Sequence, residues 1–167
     1  MEKGIQVKDV LMMKRTEMSM HQFRVAKFMS LARQELPYVP MVPVESIRRL
    51  RAALILEEAL ETVKALGFDA HVFPGGNNKH IVQLHPHDQG CDIVEVIDGC
   101  CDVAVVTTGT LCAFGVGDCT PQLLVDQNNL DKFGPGHSYR ADGKLIKPPD
   151  HKPPALMSEL VRQGYCP

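Results

Sequence analysis

Apolar residues return every three or four positions from about Ser19 to Glu35, where Val25, Phe28, Met29, Leu31 and Ala32 mark one face of a helix. Pro37, Pro40 and Pro43 then forbid helix, because each ring also restricts the residue before it. The spacing predicts a long second helix from about Val44 to Leu66, with Gly67 as its natural stop. Residues 68–91 interrupt the helical pattern. Val72-Phe73 and Ile81-Val82-Gln83-Leu84, separated by Pro74-Gly75-Gly76-Asn77-Asn78, fit either a small hairpin or a plain loop.

A third helix is predicted from about Asp92 to Phe114, almost continuously apolar and interrupted by Gly109. Gly115 to Asp118 reads as a turn, and Pro121 to Asp131 as a fourth helix capped by Thr120 or Asp118. Residues 134–154 are rich in Gly, Pro and charge and read as an extended loop. A short helix near Ala155–Gln163 follows. The expected architecture is all-α: a polar arm over 1–16, then a single domain over 17–167. No internal repeat breaks that reading.

The acids change the picture. Ile47, Leu50 and Leu54 form the apolar stripe of the second helix, and Glu57, Glu58 and Glu61 follow at helical spacing. At about 100° per residue, Glu57 and Glu61 fall within roughly 20° of Leu50, with Glu58 at the margin of the arc. On the third helix Glu95, Asp98 and Asp102 share an arc of about 60° among Ile93, Val94, Val96, Ile97, Val103 and Val106. An isolated Glu-Glu-x-x-Glu is ordinarily a solvated face. Two acidic clusters on core-facing stripes of adjacent helices are not, because buried carboxylates must protonate or meet cations. Hard oxygen donors favour Mg²⁺ or Mn²⁺ over Zn²⁺. A ferritin-like di-iron site wants Glu-x-x-His, and the i+3 partners here are Glu61 and Asp98.

Composition narrows the function classes. The chain has 167 residues, enough for one sizeable core, and its formal net charge is -2. No global basic field draws it to duplex nucleic acid. No stretch reads as a membrane span of about 18 apolar residues, and no signal peptide opens the chain. Six cysteines without a Cys-x-x-Cys pair read as free thiols of a soluble cytoplasmic protein. His85-Pro-His87 with Cys91 has ligand chemistry for zinc, a weaker reading that would make the 68–91 segment a metal module.

Arg51-Ala-Ala-Leu-Ile-Leu-Glu57-Glu58-Ala-Leu-Glu61, followed by Glu95-Val-Ile-Asp98-Gly-Cys-Cys-Asp102 and later Gly109, resembles the all-α nucleoside triphosphate pyrophosphohydrolases. The likeness is to the MazG-like and phosphoribosyl-ATP-pyrophosphohydrolase-like branch. Its C-terminal signature is similar to Asn129-Leu-Asp-Lys132 and Arg140-Ala-Asp-Gly143-Lys144-Leu-Ile-Lys147-Pro148. The family's Glu-x-x-Asp motif fits Glu95 and Asp98, with Asp102 as an added ligand. It also fits Asp102 with Gly99 at the glutamate position.

The resemblance implies a four-helix bundle usually completed across a dimer, here with a possible hairpin insertion at 68–91, and a homodimer or homotetramer. It implies hydrolysis of a nucleoside triphosphate to the monophosphate and pyrophosphate, for pool control or house-cleaning. Two or three Mg²⁺ or Mn²⁺ ions would be held by Glu57, Glu58, Glu61, Asp98 and Asp102, with Glu95 close by and Glu58 as candidate general base. Lys132, Arg140, Lys144 and Lys147, in the basic loop 132–152, would grip phosphates. Asn129 and Gln22 would orient sugar or base. The competing expectation is a catalytically silent nucleotide- or partner-binding module on the same bundle.

Overall fold

The computed structural model describes residues 17–75, 80–141 and 143–167. The arm 1–16, the Gly76-Asn77-Asn78 tip and Asp142 of the C-terminal signature lie outside the described residues. The chain forms two compact units, one from the segments before residue 43 and after residue 110, the other from residues 43–110.

In the first unit α1 spans Met20–Leu31, and Ser19 Oγ caps it by accepting from Gln22 N at 3.0 Å. The helix stops short of Glu35 because Arg33 turns left-handed at φ 59°. Arg33 N donates to Ser30 O and Gln34 N to Met29 O, both at 3.0 Å, a Schellman ending with arginine in the usual glycine position. Val25, Ala26 and Met29 of α1 form the buried core, with Cys112 and Ala113.

Later in this unit come α4 (Cys119–Leu130), a 3₁₀ turn (Asp131–Phe133) and a short antiparallel pair, β3 (Ser138–Tyr139) with β4 (Leu145–Ile146). A final helix, α5, spans Leu156–Arg162. The expected loop over 134–154 is thus partly a hairpin. Asp118 stands at the N-cap position of α4 without capping it. Its carboxylate instead accepts from Ser19 N and Ser19 Oγ, each at 2.6 Å.

A closed polar network braces this core. Gln22, 0% exposed, donates to Val116 O at 2.7 Å and accepts from Asp118 N at 2.9 Å. Gln163 repeats the pattern on Gly117, donating to its carbonyl at 3.1 Å and accepting from its amide at 2.8 Å. Two glutamines thereby replace the ladder that a buried turn lacks.

In the second unit α2 spans Glu45–Ala65 and ends at Leu66 before Gly67, whose φ of 91° favours glycine. The interruption is a full hairpin. β1 (Phe68–Pro74) and β2 (His80–Pro86) pair antiparallel from Phe68 opposite Pro86 to Pro74 opposite His80. Then α3 spans Ile93–Ala113 without a break at Gly109. Asp92 Oδ1 accepts from Val94 N at 2.9 Å at its start. The protein is helix-rich, with five α-helices and two small antiparallel sheets among the described residues. The purely all-α expectation is corrected to that extent.

Two further expectations change. The start of α3 is not buried: Ile93, Val94 and Ile97 are 71%, 68% and 60% exposed, and burial begins at Val106. Periodicity identifies an apolar face without saying what covers it. By length and composition alone, α3 is also the one helix among the described residues that passes as a membrane span. The sequence reading had found none. Asp98 and Asp102 within it would each be costly in hydrocarbon.

Candidate carboxylate site on the α2–α3 pair

The two long helices run antiparallel, and their register is fixed at three levels. Asp102 raises the pKa of Glu58, the Gly99 backbone lies against Thr62, and Asp92 N donates to Ala65 O at 3.0 Å. A Cβ at position 99 would fall 2.6 Å from Thr62 Oγ1 and 3.1 Å from Thr62 Cα. No side chain fits there. Gly99 is where the two helices approach most closely.

The crossing also resets the phase of α2. Leu50, taken as the centre of the buried stripe, is 44% exposed, whereas Arg51 is 6% exposed. Counted from Arg51 at about 100° per residue, Glu58, Thr62 and Ala65 all fall within about 40°. Glu58 therefore belongs to the inner row, and Glu57 and Glu61 flank it on exposed positions. On α3, Gly99 and Asp102 are half-buried, whereas Glu95 and Asp98 are exposed. The expectation of six acids in a dry space is corrected: two are half-buried and four face outward.

Electrostatics nevertheless joins five of them. Burial pushes the Glu58 carboxyl above its ordinary value, and Asp102, Glu61, Glu57 and Asp98, in that order, push it further. Asp98 acts on Glu58 and Glu95 does not figure among the causes, which places Asp98 nearer the centre of the cluster. Glu95 and Glu61 instead line an open groove of about 470 Å³ with Lys64, His87, Gln89 and Asp92. Among the described residues no three His, Cys, Asp or Glu side chains already stand as a metal-ligand set. What the helices bring together is a row of hard oxygen donors whose mutual repulsion a divalent cation would relieve.

The other sequence candidates fall elsewhere. Gln22 is not open to a ligand, since the Val116–Asp118 turn engages both ends of its carboxamide. Asn129, Lys132, Arg140, Lys144 and Lys147 belong to the first unit. Lys132 Nζ donates to Asn129 Oδ1 at 2.6 Å. Arg140 N donates to Lys144 O at 2.9 Å, closing the β3–β4 turn that carries Gly143 at φ 79°. Lys147 is exposed.

His71 and His85 meet edge-to-face at 5.3 Å on the β1–β2 hairpin. His87 sits in the following loop, accepting at Nδ1 from Gln89 N at 3.3 Å, and Cys91 is exposed. All six cysteines are free, as expected. The sequence reading missed Arg51, Thr62 and Gly99 as the seam. An i, i+7, i+11 row opposite a mid-helix glycine was the available signal.

The chain is thus a helix-rich protein with a carboxylate row along an antiparallel helix pair. Neither a family model nor a curated protein matches it. The resemblance to the pyrophosphohydrolases rests on the motifs themselves.

Proposed function

We propose that the protein is a metal-dependent nucleoside triphosphate pyrophosphohydrolase that releases pyrophosphate and a nucleoside monophosphate. The observation that carries this reading is the half-buried Glu58, its carboxyl raised first by burial and then by Asp102, Glu61, Glu57 and Asp98 around it. A structural carboxylate is ordinarily paired, and among the described residues no salt bridge reaches this row. Glu57, Glu58, Glu61, Asp98 and Asp102 would hold two or three Mg²⁺ or Mn²⁺ ions, with Glu95 at the edge. When bound, the ions supply the positive charge that the triphosphate and departing pyrophosphate require. Glu58, as its carboxylate, would take the proton of the water that attacks the α-phosphorus.

A four-helix bundle completed by a second copy, as homodimer or homotetramer, is part of this reading. Exposed Ile93, Val94 and Ile97 on α3 support it. The free thiols support a reducing, cytoplasmic setting.

The test is purified protein with Mg²⁺ or Mn²⁺ and a panel of nucleoside triphosphates, scored by product. Pyrophosphate is expected. Release of single phosphates would move the cleavage elsewhere, and metal and nucleotide binding without turnover would identify a silent module.

A further inference from the structure

We infer that the groove lined by Glu61, Lys64, His87, Gln89, Asp92 and Glu95 is the nucleobase site, and that it selects bases carrying an exocyclic amine. The inference deepens the hydrolase reading and rests on it.

Position is the first argument. Glu58, Glu61 and Lys64 succeed one another at intervals of three residues along α2, and Asp102, Asp98, Glu95 and Asp92 descend α3 in antiparallel register. At 1.5 Å rise per residue the groove lies about 10 Å along the seam from Glu58. A substrate with its triphosphate at Glu58, Asp98 and Asp102 must extend its nucleoside along one direction of the seam. The opposite direction leads to Arg51 and Val106, both buried. The open direction leads to a cavity of about 470 Å³, within the range of small-molecule sites.

Charge is the second argument. Three carboxylates and one ammonium line the groove, so it disfavours phosphate and suits the uncharged end of a nucleotide. Adenine and cytosine present an amine donor beside a ring-nitrogen acceptor. Asp92, the lining carboxylate not assigned to the metal row, is the acceptor, beside the donors of Lys64 and the Gln89 carboxamide. Because His87 Nδ1 accepts from Gln89 N, the neutral ring carries its proton on Nε2, a further donor. Uracil and thymine would bring carbonyl oxygens toward the carboxylates instead.

The frame is also pre-set. His87 N donates to Gly67 O at 2.6 Å, Gly90 N to His87 O at 3.1 Å, and Asp92 N to Ala65 O at 3.0 Å. These bonds tie the loop after β2 to the end of α2, so the backbone around the groove needs little ordering on binding.

The experiment measures kcat/KM for dATP, dCTP, dTTP and dUTP with Mg²⁺, using the full chain, Gln89→Ala, Lys64→Ala and the control Gln122→Ala. We expect dATP and dCTP to exceed dTTP and dUTP by about tenfold or more, the worth of one good base-edge pair. Gln89→Ala and Lys64→Ala should shrink that ratio through KM, and Gln122→Ala should leave it unchanged. An unchanged ratio in both groove variants, or a preference for the keto bases, overturns the inference while hydrolysis stands. If no nucleotide is cleaved, the hydrolase reading fails separately. Calorimetry with a non-hydrolysable α,β-imido dATP then decides the groove: binding weakened by Gln89→Ala supports it, and no binding overturns it.

Discussion

Glu159 and Glu58 are the same side chain in opposite circumstances. Glu159 on α5 accepts from Arg162 Nε at 2.7 Å, Arg162 Nη2 at 2.6 Å and Gln163 Nε2 at 2.8 Å. The Arg162 hydrogen bond holds its carboxyl below the ordinary range against the opposing effect of burial. Glu58 has burial and four acids against it, and moves the other way. The first network is closed: each polar group in it answers another, and it holds a helix to a turn. The second is open, with repulsion left uncompensated. Perturbed carboxylates gathered in one place mark a candidate functional site, which is why the open row is the place to look for chemistry.

The sharpest way to break the contrast is on the open side. Glu57→Ala and Asp102→Ala should each lower pyrophosphate release by about 10²–10³-fold, with the far-ultraviolet circular dichroism unchanged. A loss of helix together with activity would make the row structural after all. On the closed side, Gln22→Leu leaves Val116 O and Asp118 N without their partner and should cost about 2 kcal/mol in urea unfolding. Its nucleotide KM should stay put; a raised KM would restore Gln22 as a substrate contact.

Metal comes next in size. Mg²⁺ or Mn²⁺ at ten times its Kd should stabilise the wild type by about 1.4 kcal/mol in thermal melts, and Glu58→Gln or Asp102→Asn should lose most of that gain. The smallest effect is the pH response of the chelated protein. Glu58 is raised in the fold, so its ionisation costs stability as pH climbs from the ordinary carboxylate range through its folded pKa. Glu159 is lowered, so its contribution is complete above the ordinary range and is lost as pH falls through its folded pKa. Glu58→Gln should therefore flatten the stability curve on the neutral side, and Glu159→Gln on the acid side. The same change of slope in both variants would contradict the distinction.

Much of this was legible in the chain. Gly67 placed the end of α2 within a residue or two, because the chemistry of termination is local. The acids were legible as a pair of clusters, but their depth was not. The predicted stripe was centred on Leu50, one residue or about 100° from the buried Arg51. A buried arginine defeats hydropathy by construction. Asp118 was found at the right position with the wrong task, since its partner Ser19 lies 99 residues away. The hairpin over 68–86 was one of two open readings, because its strands are exposed on both faces and show no strict alternation.

Where Gly99 meets Thr62, only hydrogen separates backbone from side chain, so the gap between the helices there is a fixed calliper setting. A methyl group at 99 acts as a shim. Gly99→Ala should prise the jaws apart by tenths of an ångström and shift preference from Mg²⁺, bound at about 2.1 Å, toward Ca²⁺ at about 2.4 Å. Competition between the two ions would read out the width of the seam directly.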